Sequence, residues 1–465
     1  MIDKQEILEA AGKFNLQPHI VEKDYALGWF LAGINAHPEL SNSWIFKGGT
    51  CLKKCYFETY RFSEDLDFTV IDPAHIEASF LTKKLSEVAL WIEEQTGMAI
   101  PSERIIFDVY ANPRGSQSVE GKASYRGPLQ SQTGLAKLPR IKFDLVSDEE
   151  LVLTPNLRKV HHPYSDAPTA GISVLTYRYE EVFAEKTRAL AERLRPRDLY
   201  DVVHLYRRMD LNPDQAKILS TLQRKCANRG IAVPTIDSIQ THKNRAFLES
   251  EWETMLAHQL PELPAFGQFL EELPQVLDWI SGINSPIRLE SIVEETDEAT
   301  EFRQELPEVF LPDETSNFEK IRFAASNRLC INLGYAGSAR LIHPYAFVRS
   351  SDGNLILRAV KHDTLEARSY RMDRVQTVGL TRVPFIPAYD IEISSDGPLK
   401  IRQLIREAPA SYNRGRPTGP KYIFRCSTCK KIFRRSTHDS TLRRHKNKSG
   451  HDCYGTYGIF LRKEY

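Results

Sequence analysis

At 465 residues the chain exceeds one ordinary core, so two to four domains are expected. A formal charge of +1 excludes a globally basic or acidic protein, and any nucleic-acid affinity has to come from local patches. Hydrophobic residues at 41% are ample for packed cores, no run approaches the length of a membrane span, and seven scattered cysteines exclude a disulfide scaffold. The opening residues, Met1 to Phe14, form an amphipathic helix pattern without the apolar stretch of a secretion signal. A reducing cytoplasm, with no membrane partner, is the expected location. Residues 5–35 are predicted helical, with Ile20, Tyr25, Leu27, Phe30 and Leu31 at helical spacing. A short strand from Trp44 to Phe46 follows, ending in Gly48 and Gly49, and a helix is predicted from Thr50 to Phe57. Residues 65–70 and 140–146 alternate polar and apolar, the period of half-buried strands. From Tyr179 to Leu194 and from Arg197 to Arg208 the pattern is helical, and helix-rich sequence continues to about Ile283.

A connector is expected next, because residues 290–319 hold eleven acidic residues, one arginine and two prolines. Strands are predicted at 329–333, 355–357 and 374–380, separated by Gly and Asp turns. Cys51, Cys55, Cys226 and Cys330 have no partner at metal-ligand spacing and are expected to be buried apolar thiols.

Three features carry chemistry. Lys47, Gly48, Gly49 and Thr50 lie between a strand and a helix, where free backbone N–H groups face an anion and a hydroxyl can donate to it. Asp65 and Asp67, at i and i+2 on a strand, point to one face and suit one or two Mg²⁺ (or Mn²⁺) ions. Asp144, on another predicted strand, is the third carboxylate. Phosphoryl and nucleotidyl transfer need this combination of phosphate cradle, metal-holding acids and acceptor.

These residues resemble a known family. Residues 46–52 (Phe-Lys-Gly-Gly-Thr-Cys-Leu) and 61–68 (Arg-Phe-Ser-Glu-Asp-Leu-Asp-Phe) are similar to the AbiEii/AbiGii toxin nucleotidyltransferases of the polymerase-β-like superfamily. So are residues 21–25, the helix segment around Lys186, and Arg197-Asp198-Leu-Tyr-Asp201. The resemblance implies an NTP-using toxin of a toxin–antitoxin or phage-defence system, with RNA, at the tRNA 3′ end, as acceptor and a cognate antitoxin as partner. It adds Ser63 to the nucleotide-binding set and Lys186 and Asp198 to the catalytic set. Lys186 would neutralise triphosphate charge; Asp198 would orient an acceptor hydroxyl or hold Lys186, unless the two are a structural pair between helices. A nucleic-acid-binding regulator with an inactive core, or a transferase acting on a protein, are the alternatives.

Residues 319–383 resemble a WYL domain, a small β fold, through Tyr335, residues 340–344, 355–357 and 370–375. The signature Trp-Tyr-Leu is here Leu-Ile-Leu. This resemblance implies nucleic-acid or nucleotide contacts through Tyr335, Arg340, His343, Arg371 and Arg374. Finally, Cys426, Cys429, His445 and His451, with Phe433 and Leu442 as a small core, resemble a Cys2His2 zinc finger holding structural Zn²⁺. Fifteen residues separate Cys429 from His445, where twelve are usual, and Cys453 is an alternative fourth ligand. Twelve Lys or Arg against one acid between Arg414 and Lys448 predict a phosphate-backbone partner, contacted by Arg434, Arg435, Arg443 and Arg444. The expected fold class is α+β: a nucleotidyltransferase core with helical extension over 1–288, an acidic linker over 289–318, a WYL-like β domain over 319–408 and a basic finger module over 409–465.

Overall fold

The computed structural model describes residues 1–14, 16–57, 60–112, 115–130, 134, 137–285, 289–292, 312–349, 353–393, 421–435, 439–442, 444–447 and 451–464. The chain divides into two compact units, Met1–Ile401 and Arg402–Tyr465. No described helix is long and apolar enough to cross a membrane.

The first unit is mixed α/β. Its helices include α1 (Lys4–Phe14), α2 (Pro18–Ala36), α3 (Gly48–Cys51), α4 (Ala78–Thr96), α5 (Tyr179–Arg193) and α6 (Pro196–Tyr206). The single helix expected over 5–35 is two, because Pro18 supplies no amide hydrogen and opens a new first turn. Apolar residues surround α2 on nearly every side, so it is buried along most of its length, Phe30 meeting Phe143 edge-on at 5.5 Å. Its two buried acids are held by hydrogen bonds: one oxygen of Glu22 accepts the Leu129 N–H at 2.6 Å, and Asp24 accepts from Lys54 at 2.6 Å and Tyr164 at 3.0 Å.

The strands β1 (Trp44–Lys47), β2 (Asp65–Val70), β3 (Ile105–Ala111), β4 (Gln117–Ser124), β5 (Arg140–Val146), β6 (Asn156–Val160) and β7 (Ile172–Thr176) form one sheet in the order β3-β4-β5-β2-β1-β7-β6. The pairs β2–β5 and β1–β7 are parallel and the rest antiparallel. Leu66, Phe68, Ile141, Phe143 and Leu145 are fully buried in the core, so the alternate residues of β2 and β5 are left on the opposite, polar face.

Helices at Gln215–Asn228 and Phe266–Ile280 extend this core. Most of the connector expected over 289–318 lies outside the described residues, and its last part belongs to a helix, Pro312–Ser326. Five antiparallel strands follow, β8 (Leu329–Tyr335), β9 (Ser338–Arg349), β10 (Leu355–Lys361), β11 (Ala367–Arg371) and β12 (Val375–Pro384), in the order β11-β10-β9-β8-β12. The β8–β9 turn uses two positive-φ residues, Ala336 at 51° and Gly337 at 78°, the twist a tight hairpin needs. This sheet joins the helical extension through polar contacts: Tyr200 donates to Asn327 at 2.9 Å, while Arg207 and Arg328 both pair with Glu272, at 2.9 and 2.8 Å.

The second unit contains β13 (Lys421–Cys426), β14 (Ile432–Arg435), β15 (His445–Lys446), β16 (Asp452–Cys453) and β17 (Gly458–Glu464). β14, β13 and β17 form an antiparallel sheet, and β15 pairs with β16. Leu442 is a buried loop residue and His445 starts a strand, where a Cys2His2 finger would carry its helix.

Candidate active site

Parallel pairing sets Asp67 of β2 directly beside Asp144 of β5, and Asp65 beside Lys142, so all four project from the polar face of the sheet. Lys47 lies across from Asp67 on β1. Immediately after Lys47 the chain turns through Gly48 at φ +79°, where a Cβ would stand 2.0 Å from Asp67 Oδ2. The glycine is therefore required twice, by backbone conformation and by the close approach of the carboxylate. A Cβ on Gly49 would meet Arg61 Nη2 at 2.7 Å and Ser63 Oγ at 3.0 Å, which places Ser63 against the same turn. The short α3 continues as a π turn, Leu52–Tyr56, closed by the Phe57 N–H to Leu52 at 2.7 Å. Gly48→Ala is expected to slow catalysis about a hundredfold by displacing Asp67, with about 1 kcal/mol lost in stability, checked by turnover and thermal melting.

The electrostatics are unbalanced where the acids meet. Burial first, and then the Asp144 charge, raise the Asp67 carboxyl to about 7; Lys47 and Lys186 oppose this and Asp65 adds to it. Asp144 keeps an exposed flank, yet lost solvation raises its carboxyl too, followed by the Asp65 and Glu120 charges. Neighbouring carboxylates on one sheet face that resist ionisation in this way suit a divalent cation.

Three expectations for single side chains change. The Thr50 hydroxyl does not face the turn's open side; it is buried and donates to the Asp65 carbonyl at 2.5 Å, which steadies the first acid of β2. Lys47 pairs with Glu149, which also binds Arg229 at 3.1 Å. Lys186 is held by Asp201 at 2.8 Å and not by Asp198. Asp198 is fully buried and takes a two-pronged contact from Arg193 at 2.7 and 2.8 Å.

Asp201 is the hub of a network in which sequence reasoning assigned no role to Arg61 or Tyr60. Arg61 donates to both of its oxygens at 2.7 and 2.8 Å, and Tyr60 donates to one of them. Burial raises the Asp201 carboxyl, but Arg61 and Lys186 outweigh it and hold the group well below the usual carboxylate range. Arg61 was visible as a neighbour of the Asp65–Asp67 pair; its partner, on α6, was not.

In the β8–β12 sheet Arg340 donates to the Tyr335 carbonyl at 2.9 Å, Arg371 is paired with Asp373 at 2.6 Å, and Arg374 is exposed. In the second unit, Cys426, Cys429, His445 and Cys453 gather their ligand atoms within 4.8 Å. His451 is exposed and outside this group, because β16 pairing sets Cys453 opposite His445. Amide hydrogens of Cys429 and Gly455 donate to the sulfurs of Cys426 and Cys453 at 3.5 and 3.4 Å. Burial raises the Cys426 thiol, and hydrogen bonds from Cys429, Thr428 and His445 bring it down to about 6. Arg434 and Arg444 are exposed and Arg435 is half-buried; Arg443 lies outside the described residues.

A glycine turn beside three carboxylates on one face of a mixed sheet has the parts that nucleotidyl transfer needs, a place for phosphates and acids for metal. The model of the nucleotidyl transferase AbiEii toxin family, of type IV toxin–antitoxin systems, matches residues 29–278. The match spans more than half of the chain, which belongs to this family of toxin–antitoxin nucleotidyltransferases. Among solved structures the chain is similar to MenT4, a nucleotidyltransferase toxin from Mycobacterium tuberculosis H37Rv. That likeness has 17% identity, a TM-score of 0.42, and coverage of 61% of this chain and 91% of that one. No curated protein matches significantly.

Proposed function

We propose that this nucleotidyltransferase transfers nucleotides from an NTP to an RNA, the tRNA 3′ end being the acceptor. The observation that supports the reading most is the placing of Asp65, Asp67 and Asp144 on one sheet face beside Gly48, with Asp67 raised to about 7 by burial and by the Asp144 charge. Asp65 and Asp67 would hold Mg²⁺, which when bound neutralises triphosphate charge. The backbone at Gly48, Gly49 and Thr50, with Ser63 beside it, receives the phosphates; Asp144 accepts the proton of the attacking hydroxyl; Lys186, positioned by Asp201, balances charge in the cleft. Asp198 supports the α5–α6 corner through Arg193.

The remaining parts serve the acceptor. Residues 319–408 act as a WYL-like domain and 409–465 as a zinc-binding module, after a core over 1–288 and a linker over 289–318. The Cys3His donor set of Cys426, Cys429, His445 and Cys453 suits structural Zn²⁺. Arg340, Arg371, Arg374, Arg434, Arg435, Arg443 and Arg444 contact the nucleic-acid backbone. A cognate antitoxin is the expected protein partner. Incubation with total RNA and each labelled NTP should label RNA of tRNA size, and Asp65→Ala should remove the signal. Label on protein alone, or equal labelling by the variant, would sink this reading.

A further inference from the structure

Among the described residues, a second group of metal-ligating side chains lies far from the acids of the first sheet in the chain: Cys330, His343 and His362. Cys330 is on β8, His343 on β9, and His362 follows the end of β10. The register Ile331↔Ile342 puts Cys330 next to His343 across the β8–β9 pair, and Val360↔His343 puts His362, two residues on, toward the same side. Cys330 Sγ is 3.6 Å from His362 Nδ1, and His343 Nε2 is 2.9 Å from the same nitrogen.

Those separations can be set against a tetrahedral zinc site. Bond lengths of about 2.3 Å to sulfur and 2.0–2.1 Å to nitrogen demand S···N near about 3.6 Å and N···N near about 3.3 Å. The sulfur–nitrogen distance already fits. The two imidazoles must part by about 0.4 Å, and His362, the one exposed member, is free to yield. The surroundings suit a metal also. His343 is buried and stacks on Phe385 at 4.6 Å and 11°, which fixes its ring plane. Cys330, Tyr345, Val360 and Phe385 belong to one small apolar cluster, a dry wall behind the sulfur.

We propose that Cys330, His343 and His362 bind a zinc-class divalent ion, with solvent as the fourth ligand on the His362 side. The Cys330 thiol gives its proton to solvent as the sulfur–metal bond forms, and both imidazoles bind neutral. The ion ties β8, β9 and the end of β10 together, so its loading stabilises the sheet by mass action. Nothing in the spacing of these residues along the chain announces the site; antiparallel register alone assembles it.

Cobalt titration of the metal-free full chain, with excess Mg²⁺ to occupy carboxylate sites, tests this through thiolate-to-cobalt charge-transfer absorbance. Wild type should take two sulfur-bound equivalents, one at the Cys426 group and one here. His362→Gln, an exposed change, should weaken one equivalent at least about tenfold and leave the other intact. Cys330→Ser should remove that equivalent's thiolate absorbance. A single sulfur-bound equivalent in wild type, or an unchanged titration in His362→Gln, overturns the proposal.

Discussion

Asp67→Asn should abolish nucleotidyl transfer, by about a thousandfold or more, and at the same time make the metal-free protein harder to unfold. The first effect follows from the proposed role of Asp67 in holding metal, a charge worth several kcal/mol to the transition state. The second follows from the carboxyl's displacement to about 7 from an ordinary 3.8. The native state binds that proton more tightly than the unfolded chain, so between about pH 4 and pH 7 rising pH costs stability. Above pH 7 the cost is constant. A displacement of this size is worth up to about 4 kcal/mol, and partial solvent access reduces the expected gain of the asparagine variant to about 2 kcal/mol. Denaturation curves with and without Mg²⁺ decide the matter. The stability gap between variant and wild type should open from pH 4 to 7 and then level. Saturating Mg²⁺ should raise wild type by about 2–3 kcal/mol and leave the variant unmoved. A variant that is less stable than wild type at pH 8 would show that Asp67 is a structural carboxylate and not a cation ligand held at a cost.

The pieces of this site were legible in the sequence because each is local. Period-two alternation marked Asp65–Val70 and Arg140–Val146 as strands, and Gly48 and Gly49 sat where a strand turns into a helix. What no local pattern contains is register. That Asp67 stands beside Asp144 depends on a parallel pairing between distant segments, which only packing of the buried Leu66, Phe68, Phe143 and Leu145 decides. Helix spacing was equally mute about the partner of Lys186. Asp198 and Asp201 are three apart on α6 and share a face; Arg193, at the end of α5, claims the first and leaves the second to Arg61 and Lys186. In the tail, Cys426 and Cys429 were visible as a pair. The choice between His451 and Cys453 rested on a two-residue strand, too short to carry a pattern.

The largest loss of stability from one substitution is expected at Asp201. Its side chain is wholly buried, and its partners Arg61 and Lys186 are nearly so, at 2% and 8% exposure. Asp201→Asn leaves two cations facing a neutral amide in low dielectric, a loss of about 3–5 kcal/mol measured by chemical denaturation. The two cations do not respond alike. Arg61 is the more deeply buried of the two and its guanidinium stays charged in any surroundings, so most of the penalty rests on Arg61. Adding Arg61→Met to Asp201→Asn should therefore recover about half of the loss, since the thioether fills space without a charge to solvate. Asp198→Asn is the control: its partner Arg193 is 45% exposed, reaches water when released, and the cost should stay near about 1–2 kcal/mol. If the double variant is no more stable than Asp201→Asn alone, buried charge is not what the network manages. Its hydrogen-bond geometry, with Tyr60 on one oxygen and Arg61 on both, would then be the part that holds α6 against the β2 loop.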